Sequence, residues 1–372
     1  MRIGLDVAQT CTERHGCGWV ADQVATAICN VCERDDIILY HQFGGRLNWS
    51  TSEGTTVARP NVSAPFLGSN WIEARIAWKR IEAGQSNLPG DPEIVHSFCL
   101  QAPAVGNARL VYTVHDLSFW THPEYSTEVN RLDCQRGLLD ALHRASALTF
   151  VSENSRSDFY SHFPLPKRAR ALPSAVFLLA SRFPSLPAPR TSHLPGPWLS
   201  VGAMGPRKNI GLLLDAFAIY RRQSKHQRNL CLAGGKGWKS DSIWNRIAGL
   251  QKTGVVEHRG YVSDNELLQL YTQAFGFVFP SHYEGFGLPI LESMSQACPV
   301  ICSKNSNLSE VGGNGVLYWD GKSAETLASA MLQLEEDESL YRELSKAGLE
   351  RSRLFSWEKT ALGLRKFYED FT

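Results

Sequence analysis

The sequence contains no run near the roughly eighteen apolar residues that a membrane-spanning helix requires. Its opening, Met1-Arg-Ile-Gly-Leu-Asp6, lacks the apolar stretch of an export signal. Both absences lead us to expect a soluble cytosolic chain. A charge surplus is missing as well: 38 Lys and Arg stand against 37 Asp and Glu. The overall balance therefore offers no field for nucleic acid, and any anion site has to be local. A disulfide framework is missing too, since the nine cysteines are an odd number scattered through a chain without an export signal. Cys29 and Cys32, with Cys11 and Cys17 upstream, could be imagined as a zinc cluster, but the pair sits at i,i+3 in an apparent helix over residues 20–31, so core packing is the expectation and no metal is assigned.

What the sequence does have is alternation. Its 372 residues suit two domains of roughly 180 residues each. Short β-branched or apolar runs (residues 3–6, 37–40, 94–96, 110–115 and 147–152, then 198–202, 229–233, 255–259, 275–280 and 299–302) are separated by helical patterns. That rhythm reads as parallel sheets covered by helices on both faces, one doubly wound sheet in each half. The proline-rich stretch 184–197 is the expected linker between domains 1–183 and 198–355. Ser356 is suited to N-cap a closing amphipathic helix with Ala361, Leu364, Phe367 and Phe371 on one side, expected to pack back on the first domain.

Open parallel sheets bind ligands at the carboxyl ends of their strands, and the unusual residues collect there. In Phe279-Pro-Ser-His-Tyr-Glu-Gly-Phe-Gly-Leu-Pro-Ile-Leu-Glu-Ser-Met294 an apolar strand gives way to a glycine-bearing loop, and Pro289 stands where a first helical turn begins. Such a loop aims backbone N–H groups and the positive end of a helix at one point, suited to a phosphate or sugar oxygen. Gly285 and Gly287 permit close approach. Glu284 and Glu292 flank that point and suit sugar hydroxyls, with an ordinary helix cap as the plain alternative. A second signal is Val201-Gly-Ala-Met-Gly-Pro-Arg-Lys-Asn-Ile210, where Arg207 and Lys208 either balance a diphosphate or are solvated surface cations. Gly16-x-Gly18-x-x-Ala21 formally matches a dinucleotide fingerprint, but its first glycine comes too long after the strand ending at Asp6, which argues against NAD.

These motifs together resemble the retaining glycosyltransferases of family 4, which have the GT-B fold. The likeness rests on the Glu284 and Glu292 segment and on Gly202…Pro206-Arg207-Lys208-Asn209. It extends to Gly260-Tyr-Val-Ser-Asp264, Pro299-Val-Ile-Cys-Ser303, Glu310-Val-Gly312 and Phe355-Ser-Trp-Glu358, and in the first half to Thr113-Val-His-Asp-Leu-Ser-Phe119 and Val151-Ser-Glu-Asn-Ser-Arg156. The resemblance implies two Rossmann-like domains facing across a cleft and a nucleotide-sugar donor. It implies that Glu292 holds the donor's ribose, that Glu284 contacts a donor-sugar hydroxyl, and that Gly202, Val262, Gly285, Phe286, Gly287 and Leu288 line the donor site. Arg207 and Lys208 would serve the diphosphate, His115 beside Asp116 would reach the donor sugar, and Gly16 and Gly18 would lie near donor phosphate and acceptor. Two positions depart from the pattern: a basic residue common near Ala203 is missing, and Ala297 stands where glycine is usual.

No Asp-x-Asp occurs, so cations and a helix N-terminus are expected to stabilise the leaving diphosphate in place of a metal. No carboxylate stands out as a nucleophile, which favours attack on the same face as the departing diphosphate. The run from Val114 to Tyr125 most resembles bacterial mannosyltransferases of O-antigen or exopolysaccharide assembly. GDP-mannose is therefore the favoured donor, with a UDP-hexose as the alternative, and a glycan or lipid-linked oligosaccharide is the expected acceptor. An epimerase, a phosphorylase or a silent sugar-nucleotide-binding subunit remain other readings. The segment Trp71–Ile81 sets Trp71, Ala74, Trp78 and Ile81 on one side with Arg75, Lys79 and Arg80 beside them. It either packs on the first-domain sheet or lies on an anionic membrane surface.

Overall fold

The computed structural model describes residues 1–11, 16–41, 54–304 and 307–370. The chain forms two compact units. The first comprises Met1–Leu117, Val129–Leu179 and Ser356–Thr372, and the second Ser118–Glu128 and Ala180–Phe355.

The first unit is built on strands β1 (Arg2–Asp6), β2 (Asp36–Tyr40), β3 (Val62–Ser63), β4 (Ile94–Ser97), β5 (Arg109–Val114), β6 (Ala145–Phe150) and β7 (Ser174–Val176). The second holds β8 (Trp198–Val201), β9 (Leu230–Ala233), β10 (Val256–Gly260), β11 (Gly276–Phe279), β12 (Val300–Ser303) and β13 (Leu317–Trp319). All registered neighbours run parallel, in the orders β3-β2-β1-β4-β5-β6-β7 and β10-β9-β8-β11-β12-β13. Parallel strands covered on both faces have no wet side, which is why β1, β4, β9, β11 and β12 are buried almost end to end. Each sheet reverses its strand order once, between β1 and β4 and between β8 and β11. That reversal is the topological switch point, where a crevice opens at the strands' carboxyl ends. The short edge strands β3, β7 and β13 were not expected from sequence.

Two sequence readings are revised, and a third that was left open is decided. Residues 184–197, expected as a separate linker, belong to the second unit, where Arg190 donates to the carbonyls of Ala274, Tyr271, Thr272 and Gln296. Proline prevents helix there, and arginine replaces the missing ladder by satisfying carbonyls. Second, residues 118–128, from the middle of the first half, also belong to the second unit. Third, the helix Trp71–Glu82, capped by the Asn70 side chain on Ile72 N–H at 2.9 Å, turns Ala74, Trp78 and Ile81 inward. Trp78 is fully buried beside Tyr40 and Phe66, so it cannot meet a membrane. Among its described side chains, Ile72 and Ile76 are the exposed large apolar ones.

The closing helix Trp357–Glu369 belongs to the first unit. Ser356 caps it, Thr360, Ala361, Leu364 and Tyr368 are buried, and Phe367 packs edge-on against Phe177. Arg365 donates to Asp35 at 2.7 Å. Phe371 lies outside the described residues, as do residues 12–15 of the early glycine-bearing loop. Cys29 and Cys32 are core residues. No helix among the described residues is long and apolar enough to cross a membrane.

Candidate functional site

At the switch point of the second unit, the loop after β8 and the loop after β11 meet. Their backbones are stitched by His282 N–H donating to the Arg207 carbonyl at 2.9 Å. Arg207 donates in return to the Tyr283 carbonyl at 2.8 Å. Gly202 adopts φ +138, and a Cβ there would stand 3.0 Å from Lys208 Cε, so the glycine lets the lysine stem lie along the strand end. The lysine ammonium sits 4.4 Å from the centre of the Phe279 ring, a cation–π contact that helps hold it in place.

Glu284 is the hub. Its Oε1 accepts from Lys208 Nζ at 2.7 Å and its Oε2 lies 2.8 Å from Arg207 Nη1, while the side chain is 9 % exposed. Burial pushes this carboxyl up, but the neighbouring Arg207 and Lys208 outweigh burial and hold it at about 2. The cluster thus brings two cations to one carboxylate in a mostly enclosed place.

The helix Leu288–Ser295 begins at this spot with Gly287 as its N-cap and Pro289 in its first turn. Gly287 has φ +103, and a Cβ there would come within 2.7 Å of Leu308 Cδ2, so only glycine fits without displacement. In its first turn Pro289 has no N–H, and the Ile290 N–H donates to the Gly287 carbonyl at 3.1 Å. Gly285 and Phe286 are buried in the loop that precedes it. Ala297, just past the helix, takes a left-handed φ of +53, which explains why glycine is the usual residue there and costs alanine about 1–2 kcal/mol.

Glu292, one turn into the helix, is 1 % exposed and bound by Arg182, Nε to Oε1 at 2.6 Å and Nη2 to Oε2 at 3.1 Å. The Tyr271 hydroxyl donates to Oε2 at 3.0 Å. Arg182 also reaches Asp264 at 3.1 Å, at the end of the turn that carries half-buried Val262. Neither Arg182 nor Tyr271 was expected from sequence: one is a lone cation before a proline-rich stretch, the other a helical aromatic that reads as core. Also unforeseen was a stack of rings on the same loop. His122 lies 4.8 Å from Tyr283, and Tyr125 stacks on His282 at 5.6 Å, all within the second unit.

The remaining sequence candidates lie in the first unit. His115 follows β5 and donates through Nε2 to the Phe98 carbonyl at 2.7 Å, which leaves Nδ1 as an acceptor. Burial lowers its pKa, against the smaller opposite pull of the Phe98 carbonyl and of Asp116, so the ring is neutral at pH 7. Asp116 is half-buried next to it. Gly16 and Gly18 fall in the first turn of the helix Gly16–Val31, four residues earlier than the sequence pattern marked the helix start.

The model of the family described as Glycosyl transferases group 1 matches residues 197–351, a span that contains both loops of the cluster. The chain is 36% identical over 257 residues to the O-antigen chain mannosyltransferase B of Escherichia coli, covering 67% of each chain. It is 32% identical over 166 residues to the serotype-specific mannosyltransferase WbdA of Escherichia coli, covering 44% of this chain and only 20% of that relative. Among solved structures, sucrose-phosphate synthase from Thermosynechococcus elongatus aligns with a TM-score of 0.71 at 18% identity, covering 99% of this chain and 98% of that one. At that identity the likeness shows the fold alone, and the fold is GT-B.

Proposed function

The chain belongs to the group 1 glycosyl transferases, and from that premise we propose that it is a retaining enzyme of family 4 type. It moves a hexose, in our reading mannose from GDP-mannose, to a glycan or lipid-linked oligosaccharide during cell-surface polysaccharide synthesis. The observation that carries this reading is the cluster of Arg207, Lys208 and Glu284 at the start of the helix Leu288–Ser295. Two cations and a helix N-terminus suit a diphosphate that gains charge as it leaves, each charge-assisted contact contributing about 1.5–3 kcal/mol. They take the role a metal would otherwise play, and we propose no metal. Gly202, Gly285, Phe286, Gly287 and Leu288 line the donor, Val262 faces its base, and Glu292 accepts from its ribose. Glu284 accepts from a donor-sugar hydroxyl once the diphosphate engages Lys208 and Arg207.

Neutral His115, with Asp116 beside it, serves the donor sugar, and Gly16 and Gly18 border the acceptor. In the transfer step the acceptor hydroxyl oxygen bonds to the anomeric carbon as the bond to the diphosphate oxygen breaks on the same face. The departing oxygen takes the hydroxyl proton. The mannose assignment draws on the mannosyltransferase relatives, and a UDP-hexose is the alternative donor.

Peripheral membrane contact, where a lipid-linked acceptor would be met, is assigned to the outward side of the helix Trp71–Glu82. At about 100° per residue Arg75, Lys79 and Arg80 bracket Ile72 and Ile76, both about half exposed. Flotation with anionic vesicles checks this: Ile72→Glu with Ile76→Glu should abolish binding, and unchanged partitioning removes the idea.

The deciding experiment incubates the protein with GDP-mannose and UDP-hexoses in the presence of lipid-linked glycan, following diphosphate release and the anomeric configuration of the product. A retained α-glycoside is expected. An epimer, a sugar phosphate or binding without turnover would replace the proposal, and a trapped glycosyl-enzyme adduct would defeat the same-face step.

A further inference from the structure

The role inferred for Arg182 rests on the reading of Glu292 as the acceptor for a ribose hydroxyl. A carboxylate offers about four lone-pair positions. Among the described residues three are filled: Arg182 Nε on Oε1, and Arg182 Nη2 with the Tyr271 hydroxyl on Oε2. The capacity that remains is on Oε1.

Arg182 is itself held. Ser181 Oγ lies 3.1 Å from Ser295 Oγ, and Leu186 N–H donates to the Ser295 carbonyl at 2.9 Å, so its segment runs along the end of the helix that carries Glu292. Phe183 packs edge-on against Tyr271 with ring centres 6.1 Å apart. The third guanidinium nitrogen binds Asp264 Oδ1 at 3.1 Å, the first residue of the helix Asp264–Gln273. One planar fork thereby ties Glu292 to the turn that carries Val262. With side-chain exposures of 11 % for Arg182 and 1 % for Glu292, solvent does little to loosen the pair.

We propose that Arg182 is a positioning residue for nucleoside recognition. It fixes the Glu292 carboxylate so that Oε1 alone accepts a pentose hydroxyl, it cancels a buried negative charge that would repel an anionic donor, and it sets the ribose contact relative to the base-side turn. A lysine supplies charge but no bidentate fork, so Arg182→Lys separates positioning from neutralisation.

The test is isothermal titration of the full chain with GDP and UDP and with their 2′-deoxy and 3′-deoxy counterparts. For the base that binds the wild-type protein more tightly, one deoxy analogue should bind at least about 10-fold more weakly than the ribonucleotide, as expected for a hydrogen bond to a charged group. In Arg182→Lys this preference should shrink to about 2-fold or less. Should that variant fail to fold, Asp264→Ala carries the test, because it removes the outer tether of the same guanidinium from a half-exposed position and should lower the preference about 3-fold. A wild-type preference retained in full by the folded variant overturns the role of Arg182 and leaves the ribose reading standing. A wild-type protein that binds ribo- and deoxynucleotides equally, or binds neither diphosphate, overturns the reading of Glu292 and the role of Arg182 with it.

Discussion

Glu284→Gln isolates the electrostatics of the cluster. In the folded chain the carboxyl is held at about 2 against an ordinary value of 4.5, because Arg207 and Lys208 overcome the burial that would raise it. A carboxyl depressed by folding contributes stability that is fully present above its unfolded value and is lost as pH falls through its folded value. At about 1.4 kcal/mol per pH unit, the contribution is on the order of 3 kcal/mol at pH 7 and on the order of 1 kcal/mol at pH 3. Glutamine keeps the shape but cannot titrate. The wild-type advantage over Glu284→Gln should therefore be largest at pH 7, begin to narrow below about pH 4.5, and fall to less than half by pH 3. Urea titrations at pH 7, 5, 4 and 3 measure it, with amide exchange in β11 reporting on the second unit separately. A gap that stays constant with pH, or widens as pH falls, would refute the account of Glu284 as the carboxylate that two cations keep ionised.

Lys208→Met should weaken nucleoside diphosphate binding by about 10- to 100-fold, and a Kd unchanged in titration calorimetry would remove Lys208 from the diphosphate's partners. His115, kept neutral by burial beside the Phe98 carbonyl and Asp116, should place any acid limb of the kcat profile below pH 6.5, and His115→Asn should erase that limb. An inflection above pH 6.5 that vanishes in the variant contradicts the neutral assignment. Trp78→Ala should cost about 3–5 kcal/mol of stability, because the indole is fully buried against Tyr40 and Phe66; a Tm within a degree of wild type would contradict its placement in the core.

Strands with a run of apolar residues declared themselves in the sequence, since covering both faces of a sheet demands it. β3, β7 and β13 are two or three residues long, too short for any pattern to rise above its surroundings. The loops after β8 and β11 were legible for a different reason: glycine, proline and adjacent cations are costly or useless unless a turn or an anion requires them. What escaped was partnership across distance. Nothing in Ser181-Arg182-Phe183 marks a partner 110 residues later, and Tyr271 has the spacing of an ordinary helical core residue. The helix Trp71–Glu82 was legible as amphipathic, but its two possible environments were equivalent until packing buried Trp78 and left Ile72 and Ile76 outside.

The excursion of residues 118–128 into the second unit bears on recombination between relatives. A chimera that exchanges only residues 180–355 inherits a foreign loop at Tyr283 and His282 while keeping its own His122 and Tyr125 above them. A clean graft of one unit needs four seams, at 117/118, 128/129, 179/180 and 355/356. Natural shuffling with a single crossover would have left mismatched rings directly beside Glu284, so the two stretches are expected to travel together when donor preference changes hands.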